Sequence, residues 1–132
     1  MAGRIEPEII PDADTLFCRV HRAHYDFKEN RISRAVFGKP NQSVDWEKFS
    51  TPEQTVARYK KRQSDIVGIA KITAGQCREL SQQVVHVPLG SEDQDGPNDA
   101  HSEIRGDKPR MILSKMRDLS EANDFWQNPE FK

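Results

Sequence analysis

The clearest alternation of apolar and polar positions lies in residues 14–21, DTLFCRVH, where Leu16, Cys18 and Val20 fall on one side and Phe17, Arg19 and His21 on the other. A period of two predicts a strand with one face in the core, its other face carrying an aromatic residue, an arginine and a histidine. Residues 22–31 are polar and predict a loop bearing His24, Tyr25 and Asp26. Residues 32–37 fit either a short strand or a turn of helix, and Gly38-Lys39-Pro40-Asn41 interrupts them. Ser43-Val44-Asp45 reads as a short extended segment ending near Trp46.

A helix is expected from Thr51. This residue is a suitable N-cap, Pro52 fits the first helical position, and Gln54 can complete a capping box. The pattern predicts a run to about Arg62 with Val56 and Tyr59 buried. Residues 66–70 read as a buried strand or as the approach to a short segment over 74–80. Residues 83–87 read as a further strand closed by Pro88, and 101–105 as an extended segment before Gly106. Pro109 opens a last helix, in which Ile112, Leu113, Met116 and Leu119 recur at helical spacing. Strands separated by helices and turns, without strict β-α alternation, predict an α+β fold. Its expected form is a small twisted sheet, mostly antiparallel or mixed, with two or three packed helices.

The chain has 132 residues, room for one hydrophobic core. The apolar fraction is 35% and the charged fraction 31%, with much of the polarity in the flanks. The expected organisation is a polar N-terminal arm over 1–13, a single domain over 14–120 with an acidic loop at 91–99, and a polar, aromatic tail over 121–132. Twenty basic and 21 acidic residues leave a net charge of −1, so no global field favours nucleic acid or an anionic membrane. No run reaches transmembrane length and no apolar leader opens the chain, which predicts a cytoplasmic protein without a membrane partner. Cys18 and Cys77, the only cysteines, form no C-x-x-C pair and are expected in the core. Neither a phosphate loop nor a dinucleotide fingerprint is present, and no cofactor is expected.

Candidate chemistry follows from the strand period. His101 and Glu103 lie two apart and share a face, as do Arg19 and His21. Were the two strands neighbours, two imidazoles, a guanidinium and a carboxylate would converge. Such a set can cleave or transfer a phosphoester: one imidazole as base, the other as acid, Arg19 on the phosphate and Glu103 orienting a ring. The structural alternative is an Arg19–Glu103 ion pair with hydrogen-bonded histidines. Ser33, Ser43 and Asp45 are candidates for a ligand rim, although fixing local backbone is the commoner role of such residues. A metal held by His21, His24, His86 and His101, with Glu103 or Asp26, is a weaker variant because no metal signature is present.

The charge is unevenly distributed. Arg58, Lys60, Lys61 and Arg62 form a basic run, Glu92, Asp93, Asp95 and Asp99 an acidic one, and Phe125, Trp126 and Phe131 sit in the polar tail. Arg58, Lys61, Glu92, Asp93, Asp95 and Trp126 are therefore candidate partner contacts. They suggest a small protein-interaction or regulatory module with a protein partner or a second copy, and with a small anionic ligand as an additional candidate. A histidine-dependent enzyme acting on a nucleotide or phosphoester is the alternative.

Over approximately residues 15–120 the chain resembles a family of small, largely uncharacterised bacterial proteins. The similarity lies in Leu16-Phe17-Cys18-Arg19-Val20-His21, Ser33-Arg34-Ala35-Val36-Phe37, Ser43-Val44-Asp45, Thr51-Pro52-Glu53 and Asn98-Asp99-Ala100-His101-Ser102-Glu103-Ile104. Asp99 stands where similar sequences more often carry proline. The resemblance implies a coherent single domain in a bacterial cytoplasm and no particular activity. Arg19, Ser33 and Glu103 also resemble the residue order of ADP-ribosyl-transferring and NAD-processing folds, but the Tyr or Ser-Thr-Ser element of those folds is missing.

Overall fold

Strand β1 (Thr15–His21) lies inside a six-stranded sheet, with Leu16, Cys18 and Val20 buried on one face as the alternation requires. The computed structural model describes residues 5–93 and 96–132. After β1, a hairpin of β2 (Tyr25–Asp26) and β3 (Arg31–Ile32) stands apart from the sheet. The remaining strands are β4 (Asn41–Trp46), β5 (Ile66–Thr73), β6 (Gln83–His86), β7 (His101–Arg105) and β8 (Trp126–Gln127). The sheet order is β6-β7-β4-β1-β5-β8, and every adjacent pair is antiparallel. Helices α1 (Pro52–Ala57), α2 (Ala74–Glu79) and α3 (Arg110–Glu121) complete an α+β fold.

The two ladders of β1 differ in length. Its pairing with β5 runs from Thr15↔Thr73 to His21↔Ile66, with an irregularity between Val20 and His21. Its pairing with β4 covers only Leu16↔Trp46 and Phe17↔Asp45, after which the strands part. The 3-10 turn Arg34–Phe37 packs beside the gap: the Cys18 thiol lies 3.7 Å from the Val36 carbonyl, and Gln42 Nε2 reaches Cys18 Sγ at 3.7 Å.

One sheet face holds the main core. There the α3 positions Ile112, Leu113, Met116 and Leu119 pack with Cys77 of α2, Trp46 and Ile104. The other face carries a smaller cluster of Phe17, Val56, Ile66 and Ile69, joined by Tyr59 and Trp126. Helix α1 covers that face over β1 and β5. Its start matches the expected Thr51 capping box with Gln54. Its end comes at Ala57, earlier than expected. Lys60, Lys61 and Arg62 offer no apolar side chain to bury, and Gln63 Nε2 donates to the carbonyls of Ala57 and Tyr59, occupying acceptors left by the ended helix. Helix α2 begins with a second capping box, Thr73 with Gln76.

The described part of the N-terminal flank and the C-terminal tail both pack onto the domain. Ile10 is fully buried, and the Glu8 amide donates to His86 Nδ1 at 3.0 Å. The tail folds back as β8, pairing Gly68↔Gln127 and Ile69↔Trp126, and Asn128 Nδ2 donates to the Ile66 carbonyl at 2.9 Å. Gly68 makes this approach feasible, because a Cβ there would stand 2.1 Å from the Trp126 carbonyl oxygen. Polar composition marks the flanks as arm and tail, yet Ile10 and Trp126 suffice to dock the described residues around them.

Candidate functional site

Register places Arg19, His21, Ser43, Asp45, His101 and Glu103 on the same face, since Phe17 pairs with Asp45, Asp45 with His101 and Ser43 with Glu103. β4 stands between β1 and β7, so the two strands whose adjacency would make the four side chains converge are second neighbours. His101 is level with Phe17, and His21 lies four residues further along β1, roughly 13 Å at the usual strand rise. The two imidazoles therefore do not form a contact pair. They instead line a common cleft of about 610 Å³, opened where β1 and β4 part and bounded on one side by α1 and the segment after it.

Asp45 anchors the cleft wall. Its buried carboxylate accepts from Thr55 Oγ1 at 2.9 Å, Arg58 Nη1 at 2.8 Å and Asn98 Nδ2 at 3.0 Å, and Arg58 also donates to Ser50 Oγ at 2.8 Å. A buried carboxylate needs this saturation because desolvation penalises its charge. Arg19 donates to the Thr55 carbonyl at 2.9 Å and lies over the Tyr59 ring, 5.5 Å from its centroid. Arg19 and Arg58 thereby line the cleft with anchored guanidinium groups. Lys39, Lys60 and Lys61 also line it. Among the described residues, the wall thus carries five permanent cations and one carboxylate, Asp45, which Arg58 already neutralises.

His101 and Ser43 form a directed pair. His101 Nδ1 lies 2.9 Å from the Val87 carbonyl, which can only accept, so this nitrogen carries the proton. Nε2 is then the acceptor, 3.3 Å from the exposed Ser43 hydroxyl. The pair is diagonal across the β4–β7 ladder, two residues out of register on one face.

Other candidates have local partners. His21 Nδ1 accepts from the Ala23 amide at 3.0 Å, capping the 3-10 turn Arg22–His24, and Nε2 is 4.0 Å from Asp65. Ser33 caps the turn Arg34–Phe37 through the Ala35 amide. Glu103 accepts from Arg105 Nε at 2.8 Å and orients neither imidazole. His86 is buried against Trp46 and Phe49, with Nδ1 on the Glu8 amide and Nε2 2.7 Å from the Asp99 carbonyl. No group of three or more His, Cys, Asp or Glu suited to a metal occurs among the described residues. Burial pushes both thiols, Cys18 and Cys77, up to about 12.

Of the candidate partner contacts, Arg58 turns inward to Asp45, Lys61 lines the cleft and Trp126 is half-buried against the second cluster. Glu92 and Asp93 lie in the turn after β6, and Asp95 lies outside the described residues. Lys39, Thr55, Tyr59 and Asn98 are cleft residues that sequence reasoning did not assign to a site. Only Asn98 had a signal, its place three residues before His101 in a segment already marked. No helix among the described residues is long and apolar enough to cross a membrane. Comparisons with protein-family models, curated proteins and solved structures found no match.

Proposed function

We propose that the cleft binds a small phosphate-bearing ligand, a nucleotide or another phosphoester. The observation that carries this reading is the charge of the wall, among the described residues five cationic side chains against one internally neutralised carboxylate, in a chain whose net charge is −1. Such local concentration of one sign in a concave, partly apolar site attracts anions and holds them more strongly than an open surface does. Arg19 is oriented by a backbone carbonyl and a ring, leaving a planar guanidinium edge suited to phosphate oxygens. A volume of about 610 Å³ lies within the range of small-molecule sites.

The protein-interaction reading rests on an acidic loop, a basic run and an aromatic tail. Arg58 and Trp126 instead contribute to internal packing, which favours the ligand cleft. Calorimetric titration with AMP and with adenosine tests the proposal. AMP should bind and adenosine should bind at least tenfold more weakly. K60A/K61A should weaken AMP binding about tenfold, and raised salt should do the same. Equal affinity for AMP and adenosine, or salt-independent binding, would contradict it.

A further inference from the structure

The Ser43–His101 pair has the geometry of an activated nucleophile. A hydroxyl is a weak nucleophile unless a base lies within hydrogen-bond reach, and that base must present an unprotonated nitrogen. Both conditions are met. The Val87 carbonyl holds the proton on Nδ1, which leaves the Nε2 lone pair facing Ser43 Oγ at 3.3 Å. A distance at the long end of a hydrogen bond is common in ligand-free sites and shortens when substrate closes them. Rigid strands support both members: β4 pairs with β7 over five residues, and Val87 continues the β6 side, its amide N–H donating to the His101 carbonyl at 2.9 Å. The Ser43 hydroxyl is exposed and lines the cationic cleft.

We propose that Ser43 is a nucleophile, with His101 as its general base, acting on a phosphate monoester held in the cleft; the substrate class rests on the anion-binding reading above. Ser43 Oγ attacks phosphorus, forming an O–P bond as the ester P–O bond breaks. His101 Nε2 takes the hydroxyl proton and returns it to the departing alkoxide. Water then attacks the phosphoserine and gives a proton to Nε2. That proton passes to the released Ser43 oxygen, leaving inorganic phosphate and the original enzyme. Arg19, Lys60 and Lys61 are the cations of the wall that can neutralise the non-bridging oxygens during both displacements.

Diisopropyl fluorophosphate, an uncharged reagent, tests the nucleophile independently of anion binding. Intact-mass and peptide analysis should find one diisopropylphosphoryl group on Ser43 and none on that peptide in S43A. H101A should slow labelling at least 100-fold. H101N, whose amide can replace the donor to Val87 but supplies no base, should be equally slow and guards against a variant that fails to fold. No adduct at Ser43, or the same rate in H101N, would overturn the nucleophile assignment. Wild-type protein titrated with AMP in parallel separates the two claims. Labelling without AMP binding sustains the nucleophile and refutes the phosphate-ester class, whereas AMP binding without labelling sustains the cleft and refutes the nucleophile.

Discussion

Arg58 Nη1 stands 2.8 Å from Asp45 Oδ2, joining the residue after α1 to the C-terminal end of β4 through one charge-assisted bond. Asp45 is buried and the Arg58 side chain is 29% exposed, so the pair straddles the boundary between core and cleft. Replacing Arg58 with Met keeps most of its volume and leaves the carboxylate with only neutral donors. R58M should therefore lose roughly 2–3 kcal/mol of stability, below the range for a fully sealed pair because water reaches the arginine. D45N introduced into R58M should recover at least half of that loss. Urea denaturation of the wild type, both single variants and the double variant measures it, and a purely additive cycle would refute the coupling.

Gly68 sets the seat of β8. Any Cβ at this position meets the Trp126 carbonyl at 2.1 Å and the Phe125 ring at 2.5 Å. G68A should displace β8, lower stability by about 3 kcal/mol and open the chain to proteolysis near residue 125. Limited digestion followed by mass analysis reads this directly. An unchanged cleavage pattern would mean that the tail is not held as described.

The two buried thiols give the protein an alkaline limb of stability. Cys18 and Cys77 move from an ordinary value of 9.0 to about 12 because burial disfavours the thiolate. The folded state then holds protons that the unfolded chain releases, so their contribution is intact below pH 9 and declines between pH 9 and 12. Each thiol adds a slope of up to about 1.4 kcal/mol per pH unit in that window. C77A should flatten the slope relative to wild type by one thiol's share. Native protein at pH 8 should also leave both cysteines unreactive towards a disulfide reagent, and unfolded protein should react at two.

Much of the local structure was legible in the chain. Residues 14–21 alternate strictly enough to assign both faces, and Thr51 with Gln54 announces a helix start by chemistry confined to four residues. That Arg19 shares a face with His21, and His101 with Glu103, followed from the same period of two. What the pattern does not encode is strand order. The insertion of β4 between β1 and β7 depends on pairings across 28 to 64 residues, and it separates the imidazoles that proximity would have made a pair.

Arg58 illustrates a second limit. Within a basic run nothing distinguishes the side chain that turns towards a buried carboxylate 13 positions earlier from those that face a cleft. Trp126 illustrates a third, because a two-residue strand carries too little pattern to be read from a polar tail. Ser43 and His101 were each marked as candidates, one for a rim and one for chemistry. Their diagonal placement across a ladder is a tertiary fact.

The central claim is that the cleft between β1 and β4 receives phosphate. Amide chemical-shift mapping during titration with AMP tests it most directly, at low salt and with adenosine as the control. The account predicts saturable shifts concentrated at Arg19, Ser43, Lys60, Lys61 and His101, absent or much smaller with adenosine. Shifts confined to other surfaces, or no shift at millimolar AMP, would contradict it.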